Sequence, residues 1–246
     1  MDALWKFGSE NGLAQLDGHL STLLLSASAF TTLQAVVRAC GGNEALVGRV
    51  NSMVHACAIV PLALAAMQSE RLAADKAFGW DPRAGVAVAV ACGYFLWDIV
   101  HSLTHYTGIG FVLHGVACFT VFILGFTPFV AYWGVRCLLF EVSTPFLNIQ
   151  WYLIKAGLAD GILGKVNGLL LLTSFFLARI LFGGYIAYGF FTTLSSVADK
   201  MPWWYTAVYG VSNVLLNSLN VFWFGKMLAQ VGGKSKANPK RTSKSD

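Results

Sequence analysis

One short stretch of the chain places three ionisable side chains inside apolar sequence: "GYFLWDIVHSLTHY", residues 93–106, contains Asp98, His101 and His105. Their spacing of i, i+3 and i+7 predicts a shared helix face. An ionised carboxylate near the centre of a bilayer costs at least about 2.5–3.5 kcal/mol. Because Asp98 and His101 can offset that cost by sharing a hydrogen bond or a proton, we expect their face to point into a helical bundle. His105 lies beside the next turn and is equally consistent with the membrane interface.

A second polar group lies in "RCLLFEVSTPFLNIQWYL", residues 136–153, where Glu141, Thr144 and Asn148 repeat the same spacing. Pro145 lacks a backbone donor and is predicted to open the helical turn near Glu141. A carboxylate beside opened backbone inside a membrane protein can hold a proton or the polar group of a ligand. This segment is therefore a second candidate for an interior site.

Two further histidines lie in apolar sequence: His55 in "RVNSMVHA" and His114 in "GFVLHGVACF". A single membrane histidine is more often a hydrogen-bonding partner between helices than a ligand. However, four predicted spans each carry costly polar side chains, and these are tolerated best where they meet. We therefore predict one inward-facing, lipid-binding polar site. Its predicted residues are His55, Asp98, His101, His114, Glu141 and Asn148.

The composition of the chain indicates that membrane helices position these side chains. The chain has 246 residues, 56% hydrophobic and 12% charged, with a mean hydropathy of +0.61. Soluble domains carry about 25% charged residues, so we predict an all-α, polytopic transmembrane helical bundle. A bilayer span needs about 20 apolar residues. Seven stretches qualify as candidate spans: 15–38, 50–68, 84–105, 111–128, 130–155, 165–195 and 203–228.

The predicted organisation has three parts: residues 1–48 with the first span, 49–230 as the main transmembrane domain, and 231–246 as a disordered basic tail. The tail holds much of the net charge of +5. We read this charge as a solvated segment near anionic headgroups rather than a nucleic-acid interface, and it favours a cytosolic C-terminus.

Two glycine patterns predict local helix geometry. Gly85, Ala89 and Gly93 form a small-x-x-x-small groove, which lets another helix approach closely. Gly183 and Gly184 interrupt the sixth candidate span and favour a kink there.

From about Arg49 to the last span, the chain resembles the TLC domain family, the TRAM, LAG1 and CLN8 homology domain. The resemblance rests on the order and spacing of "RVNSMVHA", "GYFLWDIVH", "VLHG" and "FEVSTPFLNIQWYL". It implies a multi-helix membrane domain concerned with lipid synthesis, lipid sensing or membrane composition. The endoplasmic reticulum is favoured over the plasma membrane, and membrane lipids are the implied partners.

The best-known enzymes of that family are ceramide synthases, which have paired histidines and a downstream His-Asp-x-Ser-Asp string. Here the histidine pair reads Leu113-His114, and the downstream string reads Phe140-Glu141-Val142-Ser143-Thr144. The chain is closer to non-synthase members, which implies lipid homeostasis without a resident cofactor. An acyl-CoA-dependent N-acyltransferase remains an alternative, with His114 as base oriented by Asp98 or Glu141, and acyl-CoA as substrate.

A metal-dependent lipid hydrolase is a second alternative, although no metal is expected in the favoured interpretation. His101 and His105 have the i, i+4 spacing of metal ligands, and Asp98 could be the third. The chain's five histidines are fewer than the about eight of membrane di-iron oxygenases. A seven-span receptor has little support, because its usual Asp-Arg-Tyr and Asn-Pro-x-x-Tyr strings do not occur. The sequence leaves the oligomeric state open.

Overall fold

The computed structural model describes residues 12–106 and 108–233, and within these ranges the secondary structure is helical, without strands. The α-helices are α1 Leu20–Ala39, α2 Glu44–Met67, α3 Glu70–Ala74, α4 Pro82–Thr104, α5 Ile109–Leu124, α6 Ala131–Cys137, α7 Thr144–Lys155, α8 Ile162–Phe175, α9 Phe182–Ser196 and α10 Trp203–Gly233. Short 3₁₀ segments cover Leu138–Ser143 and Ala198–Lys200, and a π-helical turn covers Phe176–Leu181. Of the predicted disordered tail, 231–246, the first three residues are the end of α10, and the part from residue 234 onward lies outside the described residues.

The prediction of an all-α, polytopic membrane bundle is confirmed. Within the described residues, four helical segments are long and apolar enough to cross a bilayer: α1, α2, α4 and the continuous run from α8 to α9, Ile162–Ser196. Helix α5 has 16 residues, fewer than the about 20 of a full span. Since the fifth and seventh candidate stretches are also helical, seven is an approximate number of spans.

The fifth candidate stretch, 130–155, is divided rather than one continuous helix. Helix α6 ends at Cys137, the 3₁₀ segment runs to Ser143, and α7 begins at Thr144. Pro145 stands in the first turn of α7, where its missing N–H costs nothing. Its predicted effect on the preceding turn is visible as the tighter 3₁₀ geometry around Glu141.

The predicted irregularity of the sixth span lies just before the glycine pair. The π-helical turn Phe176–Leu181 separates α8 from α9, and Gly183 and Gly184 already belong to α9. Single π-turns inside membrane helices shift the register of the following residues and often occur at functional sites. Here the turn contains the buried Arg179.

The predicted small-residue groove on α4 is confirmed as a helix-packing surface. Helix α1 lies along it: a methyl group added at Gly93 would be 2.6 Å from the carbonyl oxygen of Leu23, and one at Gly85 would overlap the His19 ring. The Ser26 hydroxyl also donates to the carbonyl of Val90 at 2.9 Å. The two helices can approach this closely only because the groove lacks side chains.

The start of α4 is set by a capped turn outside the span. The Asp81 carboxylate accepts from the backbone N–H of Arg83 at 2.8 Å, and Pro82 begins the helix. The Arg83 guanidinium beside Asp81 holds the pKa of that carboxyl well below its usual range. The cap therefore stays ionised near neutral pH and fixes where α4 starts.

Two of the three apolar cores in the described part of the chain leave a gap between them. The first core joins α1, α2, α4 and α5 through residues such as Ile59 and Phe95. The second joins α6, α9 and α10 around Trp133, Phe190 and Tyr209. Residues of both cores line the one cavity described below.

We expect Gly93→Ala to destabilise the protein by about 1–3 kcal/mol, because the added methyl group pushes the α1 backbone away from α4. The matched control is Gly184→Ala, since a methyl group at Gly184 meets nothing within 4 Å. We expect the control to be neutral or to gain up to about 1 kcal/mol from better helix propensity. Thermal unfolding of both variants in lipid nanodiscs measures the difference, and equal effects would argue against close packing of α1 on this groove.

Candidate functional site

Arg179 lies at the centre of a polar network within the membrane domain. Its Nε donates to the carbonyl of Phe140 and to the hydroxyl of Ser143, both at 3.0 Å. Its Nη1 donates to Asn220 at 3.3 Å, and its Nη2 donates to Thr144 at 3.2 Å. The side chain is 8% exposed. Arg179 thus connects the π-turn to the 3₁₀ segment, to α7 and to α10.

Glu141 supplies the opposite charge. Its Oε1 lies 3.5 Å from Nη2 of Arg179, and its Oε2 accepts from the Thr144 hydroxyl at 2.6 Å. Glu141 also interacts electrostatically with His55 and His114. A buried ion pair repays its desolvation only when further hydrogen bonds satisfy it. Here Phe140, Ser143, Thr144 and Asn220 provide these bonds, so the pair is stable inside the protein.

The Arg179–Glu141 pair borders a cavity of about 100 Å³. By the same measure, about 10–15 Å³ holds one water molecule. Most of the cavity wall is apolar, and a minority of the lining residues are polar or charged. Its polar lining comprises His114, Glu141, Arg179, Asn213, Asn217 and Asn220. Aromatic residues of the lining include Phe95, Phe122, Phe129, Trp133, Phe140 and Phe190.

Two of the six sequence-predicted site residues, His114 and Glu141, line this cavity. Asp98 lies next to them: a methyl group added at Gly115 of α5 would be 3.0 Å from its Oδ2. Asp98 also interacts electrostatically with Glu141. Asp98 is half-buried and is not among the residues that line the cavity, so its membership of one interior site with Glu141 stays a prediction.

His55 is fully buried behind this region. Its ring stacks on Tyr94 with centroids 3.9 Å apart and planes within 6°. Among the described residues, neither ring nitrogen of His55 has a hydrogen-bond partner. His55 is not among the residues that line the cavity, so its predicted place in the site stays a prediction.

The other two predicted residues lie elsewhere. Asn148 donates to Ser52 at 2.9 Å and accepts from Arg49 at 3.3 Å, so it joins α7 to α2. His101 lies at the C-terminal end of α4, beside Glu44 and His105. Residues three positions apart on a helix differ by about 60° in direction. Asp98 consequently faces α5 and His101 faces α2, and the predicted common face is divided between two neighbours.

Sequence reasoning missed Arg179 and the asparagines of α10. The signal was present: "SFFLARILF" contains a single arginine in an apolar run, and Asn213, Asn217 and Asn220 follow i, i+4, i+7 spacing. Intramembrane ionisable residues mark interior sites by default. Pro145 was predicted to open the backbone near Glu141 for the polar group of a ligand. In the structure the nearby carbonyl of Phe140 accepts a hydrogen bond from Arg179 instead.

The His114 ring, the candidate base of the acyltransferase alternative, lies beside Cys118. The Cys118 sulfur lies 3.9 Å from Nδ1 and 3.8 Å from Nε2 of His114, which places it beside the ring rather than in line with one nitrogen. The acyltransferase alternative expects Asp98 or Glu141 to orient His114 as a base. Among the described residues the hydrogen-bonding contacts given for the His114 ring are those with Cys118.

Comparison with known proteins gives a consistent picture. The sequence model of the TLC domain matches residues 47–229. An uncharacterized TLC domain-containing protein of Schizosaccharomyces pombe is 30% identical over 94% of this chain and 85% of its own length. Topoisomerase I damage affected protein 4 of Saccharomyces cerevisiae is 34% identical over 68% of this chain and 61% of its own length.

A human relative, TLC domain-containing protein 4, is 31% identical over 64% of this chain and 62% of its own length. No solved structure matches this chain. The family match covers the helices that build the cavity, including α4, α5 and α10. The chain therefore belongs to the TLC domain family, in the branch of these relatives rather than that of the ceramide synthases.

Proposed function

We propose that the protein binds a membrane lipid in the cavity between its two apolar cores and so takes part in lipid homeostasis or membrane composition. The observation that carries this proposal is the two-part lining of the cavity. A lipid has the same division, with a polar end and an apolar chain. The apolar wall of Phe, Trp and Ile side chains suits the chain.

The charges at the polar end favour a headgroup region without net charge. Arg179 and Glu141 compensate each other, and Arg179 already donates to four acceptors besides Glu141. An additional anion or cation would compete with the ion pair. The Asn217 amide donates to the carbonyl and to Oδ1 of Asn213, which leaves the Oδ1 of Asn217 as an acceptor and the amide N–H groups of Asn213 as donors for a ligand. We therefore propose hydroxyl, amide or ester groups as the part of the lipid that binds here.

The site of action is part of the same proposal. The family resemblance favours the membrane of the endoplasmic reticulum, with the basic tail in the cytosol, where anionic lipids attract lysine and arginine. A fluorescent fusion of the full chain, combined with protease protection of a tag at the C-terminus, tests both points. Protection of the tag from protease added outside the organelle would contradict the cytosolic tail.

We expect filling of the cavity to remove bound lipid. Gly183 lines the cavity, and a methyl group there would contact Phe140 at 3.4 Å and Asn217 at 3.5 Å. Gly183→Leu should lower the lipid retained by the purified protein at least about tenfold, since overpacking costs about 1–3 kcal/mol. Native mass spectrometry with lipid extraction measures retention.

The control for this experiment is Gly184→Leu, which makes the same change one residue later, in open space. We expect that variant to retain lipid as the unmodified protein does. Equal retention by both variants, with both folded by circular dichroism, would contradict binding in this cavity.

We expect Arg179→Met to destabilise the protein by about 3–5 kcal/mol, because it leaves the buried carboxylate of Glu141 without its counter-charge. The double variant Arg179→Met/Glu141→Gln should regain most of that loss, since no uncompensated charge then remains. Thermal unfolding in nanodiscs gives both values. A double variant as unstable as the single one would show that the two charges do not act as a pair.

A further inference from the structure

A second polar cluster lies where α1 ends, α2 begins and α4 ends, away from the cavity lining. It consists of Glu44, His101 and His105, called the helix-end cluster below. Oε2 of Glu44 lies 3.8 Å from Nδ1 of His101 and 3.7 Å from Nε2 of His105. One ligand atom from each residue lies within 4.8 Å of the others.

These distances suit ligands of one metal ion better than direct hydrogen bonds. A hydrogen bond between nitrogen and oxygen spans about 2.7–3.2 Å, shorter than both separations. Two ligands on a tetrahedral zinc ion with bonds of about 2.0–2.1 Å lie about 3.3–3.4 Å apart. The two Glu44 separations exceed this spacing by a few tenths of an ångström, and the histidine ligand atoms lie within 4.8 Å of each other, so modest side-chain movements would bring the cluster to zinc-ligand geometry.

The hydrogen bonds of His105 define which of its nitrogens faces the cluster. The Thr104 hydroxyl has one proton and lies 2.8 Å from the carbonyl of Val100, to which it donates. Its oxygen is also 2.9 Å from Nδ1 of His105 and so accepts the proton on that nitrogen. In the neutral ring, Nε2 then directs a lone pair toward the Glu44 carboxylate. Two acceptors that face each other in this way are satisfied by a metal ion between them or by the proton of a charged imidazole.

The buried Nδ1 atom of His101 independently indicates that the cluster binds an ion. Its side chain is 9% exposed, and its Nδ1 has no hydrogen-bond partner among the described residues. Buried polar atoms in native proteins are nearly always satisfied. Because this nitrogen faces Glu44 Oε2, a bound ion at the cluster would satisfy it.

The surrounding residues hold these ligands in place. Arg38 binds the Glu44 carboxylate with two hydrogen bonds, of 2.7 and 2.8 Å, and fixes its orientation. The Trp97 ring stacks on His101 at 4.9 Å, and its indole N–H donates to Gln34 at 2.6 Å. Such outer contacts orient ligands at metal sites. Arg38 also brings a positive charge, so the site should bind a metal only moderately tightly.

We propose that the helix-end cluster is a binding site for a divalent transition metal, with Zn²⁺ the best match. Its ligands are Oε2 of Glu44, Nδ1 of His101 and Nε2 of His105. Two imidazoles and one carboxylate are ligands that zinc prefers. This differs from the sequence-based expectation of no metal, and from Asp98 as the third ligand, because Asp98 faces α5. The ion would tie the start of α2 to the end of α4.

The test measures metal binding by the full-length chain without a polyhistidine tag, in lipid nanodiscs. Co²⁺ and Zn²⁺ are titrated and followed by the visible absorption of Co²⁺ and by calorimetry. We expect one ion per chain, a higher melting temperature with Zn²⁺, and affinity at least about tenfold weaker in Glu44→Gln and in His105→Gln. His105 is partly exposed, so its replacement should not prevent folding.

Two controls separate this site from other metal-binding groups. His114→Gln removes a histidine of the cavity, and Cys40→Ser removes an exposed thiol near the end of α1. Both variants should bind the ion as the unmodified chain does. Sub-stoichiometric binding, or binding that survives Glu44→Gln and His105→Gln, would overturn the proposal. Loss of binding in Cys40→Ser alone would assign the ion to the thiol instead, which would overturn it equally.

Discussion

A buried arginine within a membrane helix must find enough acceptors inside the protein, because lipid offers none. Arg179 meets this requirement with a carbonyl, two hydroxyls, an amide oxygen and a carboxylate. These acceptors come from two parts of the chain, residues 140–144 and Asn220, that are distant in sequence from Arg179 and from each other. The position of Arg179 therefore constrains how the π-turn, the 3₁₀ segment and α10 approach one another.

The irregular backbone near Arg179 follows from the same constraint. The 3₁₀ segment Leu138–Ser143 presents the carbonyl of Phe140 and the side chain of Glu141 to the guanidinium. The π-turn Phe176–Leu181 places Arg179 opposite them. Non-helical backbone at membrane depth is tolerated where protein covers it. Here it also keeps polar groups beside an otherwise apolar cavity, which is the basis for proposing that a lipid binds there.

The sequence predicts the class of fold and part of the site, and the reasons can be stated residue by residue. Helical spans and the position of Glu141 at an interior cavity follow from the cost of charge in hydrocarbon, which acts whatever the tertiary arrangement. The packing groove at Gly93 was predictable because a row of small residues on a membrane helix lets another helix approach closely. Pro145 indicated a break in the helix before it, but the sequence does not indicate that the break extends over residues 138–143.

Other features depend on which helices become neighbours, and local spacing does not contain that information. His101 and Asp98 are separated because α4 packs against α2 on one side and α5 on the other. Glu44 joins His101 and His105 only because the start of α2 lies beside the end of α4. Arg179 could have been noticed as a lone charge, but its partners lie 35 to 41 positions away along the chain.

The most direct measurement is a cryo-electron microscopy structure of the full chain in nanodiscs made from its native lipids. If the Arg179–Glu141 pair forms the polar end of a lipid site, elongated density should start beside these two side chains and continue along the aromatic wall toward Phe190. Density for Arg179 directed to the bilayer, or a cavity closed by protein side chains, would contradict this central claim.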